Sequence, residues 1–148
     1  MTNFRPNNHP WHHGLSFTMN NVSGINFWGG PSYHEDGYQW CGDWGGQEHA
    51  EWRMREASGN RAKLEHTLEW KHSGEVIFRE DRRIGIDVNP TEKLWTLRWR
   101  STLTNVSGRD LIMFNWDTPS ADGMAILRWL RERVAHIPCA LDCSARRD

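Results

Sequence analysis

The feature that most limits what this chain can fold into lies in its middle. Leu64, His66, Leu68, Trp70 and His72 alternate there with Glu65, Thr67, Glu69 and Lys71. A period of two fits a strand with one buried face, because successive side chains of an extended chain point to opposite sides. Ser73-Gly74-Glu75 then supplies turn chemistry, and Val76 to Val88 reads as a second strand, with a bend or bulge expected at Gly85. After the turn Asn89-Pro90-Thr91-Glu92, a third strand carries Trp95, Leu97, Trp99, Ser101 and Leu103 on one face. Asn105 to Asp110 makes a further turn into Leu111–Trp116, expected as a fourth strand of the same meander. His49–Met54 and Leu15–Met19 are also strand candidates. Links this short require antiparallel neighbours, so the expected fold is all-β and antiparallel, a β-sandwich or barrel, and the antiparallel β-sandwich is the form carried forward.

Two regions depart from the pattern. Residues 29–46 are rich in Gly and aromatic side chains and read as a long loop, a common place for function. Met124 to His136 places Met124, Leu127, Leu130 and Val134 close to one stripe, which predicts a short C-terminal helix. Residues 1–117 are therefore read as the β-sandwich domain and 118–148 as a divergent tail.

The 148 residues suffice for one domain, and ten Trp supply apolar area that a hydrophobic fraction of 37% would otherwise lack. A formal net charge of −1, without a long run of one sign, argues against nucleic acid and polybasic membrane contact and favours a small-molecule ligand. No apolar stretch approaches the ~20 residues of a membrane span, and no signal-peptide layout opens the sequence, so a cytoplasmic location is expected. Cys41, Cys139 and Cys143 lack metal-finger spacing and read as free thiols.

The strongest local feature is His9-Pro10-Trp11-His12-His13-Gly14. Three imidazoles within five positions offer metal ligands or acid–base groups near neutral pH. An extended segment puts His9 and His13 on one face and His12 on the other, whereas a helical turn from Pro10 lets all three converge. His34-Glu35-Asp36 and Glu48-His49 are candidate completing partners; the metal candidates are His9, His13 and Glu48, with Glu35 as a further carboxylate. Trp11, Phe27, Trp28, Tyr33, Tyr38, Trp40 and Trp44 gather in the non-periodic part. A sugar has apolar C–H faces and polar rims, which suits flat aromatic rings beside Asp, Asn, Gln and His. Tyr38, Trp40 and Trp44 are the candidate substrate-binding surfaces. Two Asn-Val-Ser-Gly copies, at residues 21–24 and 105–108, read as turns. No phosphate-binding Gly-rich loop and no Gly-x-Ser-x-Gly elbow is present in the sequence.

The run Asn8-His9-Pro10-Trp11-His12-His13-Gly14-Leu15-Ser16-Phe17-Thr18, followed by Gly24-Ile25-Asn26-Phe27-Trp28, resembles the DUF6807 family, also labelled methane oxygenase PmoA-like. Trp11 stands where the family pattern has a His, and no Arg precedes Gly14. Glu48-His49, the strand ending at Trp70, Arg79-Glu80-Asp81-Arg82 and the strand Trp95 to Leu103 also look like family segments, so the similarity covers about residues 8 to 115. The resemblance implies a bacterial protein with a supersandwich related to galactose mutarotases, incomplete here because this chain is expected to be a truncated member. It also implies a link to carbohydrate metabolism. The expected function is a carbohydrate-related enzyme or binding protein in which His9, His12 and His13 transfer protons or orient substrate. The alternatives are a metal-dependent oxygenase holding iron or copper, and a non-catalytic remnant or interaction module.

Overall fold

The computed structural model describes Arg5, Asn7 and residues 14–34, 36–114, 127–129, 134–137 and 143–146. The strands are β1 (Asn21–Val22), β2 (Ser32–His34), β3 (Gly37–Gln39), β4 (Gly46–Ser58), β5 (Arg61–His72), β6 (Glu75–Asn89), β7 (Leu94–Asn105), β8 (Leu111–Phe114), β9 (Leu127–Trp129), β10 (Val134–Ile137) and β11 (Cys143–Arg146). The fold is all-β and antiparallel, as the alternation requires. The large sheet runs β10-β7-β6-β5-β4, with β11 also on β7. A smaller sheet runs β1-β8-β9, and β2 pairs with β3 alone.

The long hairpins follow from their turns. Ser73 (φ 48°) and Gly74 (φ 82°) both adopt positive φ between β5 and β6, which matches the twist that two-residue hairpins need. Both Asn-Val-Ser-Gly segments are turns: Gly24 N–H donates to Asn21 Oδ1 at 2.9 Å, and Ser107 N–H donates to Asn105 Oδ1 at 3.0 Å.

Trp70, Phe78, Leu68 and Leu103 of the large sheet meet Val22, Ile25, Phe27 and Leu111 of the smaller layer in one core, with Phe17, Met19 and Met113 packed against it. Phe27 and Phe17 lie 5.1 and 5.7 Å from the Trp70 ring, centroid to centroid. This two-layer arrangement is sandwich-like: each sheet buries the face that its own strands cannot cover.

Several expectations are corrected. Leu111–Phe114 is a strand, but it crosses to the second sheet and pairs with β1 and β9 instead of continuing the meander. Leu111 is fully buried, and only that second layer lets it reach the core formed with Trp70. The bulge in β6 falls at Ile77, where Trp70 pairs with Phe78 and Lys71 with Val76, while Gly85 pairs regularly with Lys63. The extra residue lets Ile77 and Phe78, adjacent in sequence, both be buried. Leu15–Met19 forms no strand, and the loop at 29–46 contains the β2–β3 hairpin. Within the segment expected as a helix, Leu127–Trp129 and Val134–Ile137 are strands on β8 and β7, and no helix occurs among the described residues. There the backbone groups are satisfied by unpaired strand edges, which overrides a weak helical stripe. The rest of that segment lies outside the described residues.

Candidate functional site

The register of the large sheet stacks four rows on its inner face. Gln47 aligns with Trp70, Phe78 and Asn105; His49 with Leu68, Glu80 and Leu103; Trp52 with His66, Arg82 and Ser101; Arg55 with Leu64, Ile84 and Trp99. In a regular strand His49 and Trp52 would face opposite ways. Register shifts between His49 and Glu51 and between Trp52 and Met54 leave Ala50 and Arg53 unpaired, so β4 turns His49, Trp52 and Arg55 to the same side at intervals of three.

Glu80 anchors this face. It is fully buried, and its carboxylate accepts from Trp70 Nε1 at 2.7 Å, from Arg82 Nε at 2.7 Å, from a second Arg82 nitrogen at 2.8 Å, and from Ser101 Oγ. Ser101 Oγ in turn accepts from Trp99 Nε1 at 2.9 Å. Arg82, 9% exposed, lies 4.7 Å from the Trp99 ring centre and donates to Gln47 Oε1 at 2.9 Å. Gln47 Nε2 donates to the Phe17 carbonyl at 2.8 Å, which ties the segment after the His motif to this network. A buried charge needs such saturation: bidentate pairing, a stacked ring and neutral donors together offset the loss of water.

Above this base the rings of His49, Trp52 and His66 cluster. Trp52 stacks on His66 with centroids 4.8 Å apart and an 18° interplanar angle, His49 is 4.8 Å from Trp52, and His49 Nδ1 is 3.1 Å from His66 Nδ1. Arg55 covers the Trp52 ring at 5.5 Å. Burial lowers the His66 pKa below the ordinary 6.5; the Arg82 and His49 charges lower it further, and Glu80 opposes them. The shift favours the neutral imidazole at His66, and within the 3.1 Å contact one of the two facing Nδ1 atoms accepts from the other. The half-buried His66 and the exposed His49 and Trp52 rings, beside a fixed guanidinium, can contact a polar ligand, and imidazole can exchange protons with it.

The expected catalytic residues His9, His12 and His13 lie outside the described residues, as does Glu35. Tyr38, Trp40 and Trp44 are exposed near the β2–β3 hairpin and the start of β4; Trp40 meets Trp44 edge-on at 5.0 Å, and Tyr38 lies 6.4 Å from Trp28. Glu48 sits on the opposite sheet face from His49, where it accepts from Lys71 Nζ at 2.8 Å. That bond, with a second to Glu69, raises the Lys71 pKa. No group of three or more candidate metal ligands occurs among the described residues. Sequence reasoning missed the roles of His66, Glu80 and Arg82. The available signal was in β6, where Glu80 and Arg82 interrupt the stripe Val76, Phe78, Ile84, Ile86 and Val88 at positions due to face inward.

With this geometry in hand, comparison with known proteins gives a class. The chain belongs to DUF6807, a family of unknown function, whose profile matches residues 1–135. No curated protein and no solved structure matches the chain. No described helix is long and apolar enough to cross a membrane.

Proposed function

We propose that this DUF6807 chain is a carbohydrate-related enzyme or binding protein. The reading rests chiefly on the inner-face set of His49, Trp52, His66 and Trp99 around an arginine held by buried Glu80. Indole faces suit the C–H faces of a sugar ring, while the guanidinium and imidazoles suit its hydroxyls. Tyr38, Trp40 and Trp44 supply further stacking area. His9, His12 and His13 are the proposed proton-transfer groups, and the chemistry that suits them is mutarotase-like. One group takes the proton of the anomeric hydroxyl while another gives a proton to the ring oxygen, so the ring opens without net proton change.

The test is calorimetric titration of the chain with a panel of aldoses and uronic acids, together with polarimetry of their anomerisation. Saturable binding that Trp52→Ala weakens about tenfold or more supports the reading. A folded chain that binds no sugar and leaves anomerisation at the solvent rate contradicts it. His13→Ala separates the two forms: it should abolish catalysis in an enzyme and spare affinity in a binding protein.

A further inference from the structure

The two imidazoles on the inner face have a geometry that a sugar site does not require. We propose that His49 and His66 together hold a divalent transition-metal ion of the zinc, cobalt or nickel type through their Nδ1 atoms, with water in the remaining positions. This goes beyond the carbohydrate reading: it uses two residues of the same face, but turns on the spacing of their ring nitrogens and not on sugar stacking.

The two Nδ1 atoms are 3.1 Å apart. Ligands at 2.0–2.1 Å from one ion are separated by about 3.3 Å in a tetrahedral site and about 2.9 Å at a right angle, so the observed spacing falls between those two cases. The atoms come from neighbouring strands, His49 from β4 and His66 from β5, so the sheet fixes their separation. His49 pairs directly with Leu68, and Leu68 shares its face with His66 two residues away, so the register of β4 on β5 makes the two imidazoles diagonal neighbours on one face. Trp52 packs on both rings and restricts their rotation. A second cation beside the ion opposes it, and Arg82 does so in part, but its two bonds to Glu80 set a carboxylate against that charge, and Arg55 is directed onto the Trp52 ring. His49 is exposed, which leaves room for water or a ligand oxygen to complete the coordination. Borderline ions accept nitrogen donors of this kind, whereas calcium and magnesium prefer oxygen.

The experiment is Zn2+ titration of the full chain, without sugar, followed by the ring-nitrogen NMR signals of the histidines. The expected result is that Nδ1 of His49 and Nδ1 of His66 shift together and saturate at one Zn2+ for the pair. The same response should persist in a His9→Ala/His12→Ala/His13→Ala variant. His49→Ala, at an exposed position where folding is least at risk, should weaken the Zn2+ response of His66 about tenfold or more. Shifts confined to other histidines, or a His66 response unchanged in His49→Ala, overturn the proposal. Sugar titrations in the presence of a chelator test the carbohydrate reading alone, so the two can fail separately.

Discussion

Replacing Glu80 by Gln removes the charge at the base of the inner face while keeping its shape. In the native protein four donor contacts converge on this carboxylate: two from Arg82, one from Trp70 and one from Ser101. A Gln side chain has one oxygen to offer and turns an NH2 toward the other donors, so at least one contact becomes a donor facing a donor. Arg82, 9% exposed, keeps a charge with no counterion. Breaking a buried pair from one side costs about 3–5 kcal/mol, and the indole N–H and the serine hydroxyl cannot recover their lost partner from water. That is a large share of the ~5–15 kcal/mol that holds a typical domain together. Urea unfolding followed by Trp fluorescence measures it, with wild type and variant compared at equal slope. The double variant Glu80→Gln/Arg82→Met, which removes both charges, should recover part of the loss, because the stranded guanidinium is the main penalty. A Glu80→Gln cost below about 1 kcal/mol would refute the claim that this carboxylate organises the face.

Further outcomes follow from the same geometry. Gly45→Ala would place a Cβ 2.2 Å from Phe27 Cε1, and Phe27 is buried against Trp70, so thermal unfolding should show a loss of about 1–3 kcal/mol. Ser101→Ala breaks the link between Trp99 Nε1 and Glu80 and should cost about 1–3 kcal/mol in urea titrations. The folded-state pKa of His66 is depressed, so the folded form resists taking up the proton that the unfolded chain accepts near 6.5. Its contribution to stability is therefore present above pH 6.5 and lost as pH falls through 6.5 toward the folded value. Urea midpoints across that range should fall less in His66→Asn than in wild type. The exposed pair Trp40 and Trp44 predicts that Trp40→Ala shifts stability by no more than about 0.5 kcal/mol while weakening any sugar that stacks there, which parallel unfolding and binding titrations separate.

Much of the large sheet is legible in the sequence, because β5 and β7 alternate cleanly and one buried face fixes their register. What periodicity cannot supply is the position of an inserted residue. The bulges in β4 turn His49, Trp52 and Arg55 to one side, whereas counting by two puts Trp52 on the opposite face from His49. The same limit moved the β6 bulge from Gly85 to Ile77. Leu111–Phe114 has the composition of any buried strand, and only tertiary packing assigns it to the second sheet. The site was half visible: His49 drew notice through its neighbour Glu48, which the sheet turns to the other face and pairs with Lys71. His66 looked like one more member of an alternating stripe, and its partner Arg82 becomes apparent only when β5 is laid beside β6.

The central claim is that the ring cluster over Glu80 and Arg82 is where a ligand sits. Its most direct test is an NMR titration of the wild-type chain with the sugar panel, following the indole N–H signals of all ten Trp. The account predicts saturable shifts of Trp52 and Trp99, with Trp70 moving less because its N–H is held by Glu80 in the core. Shifts that leave Trp52 and Trp99 in place while other indoles respond would contradict it.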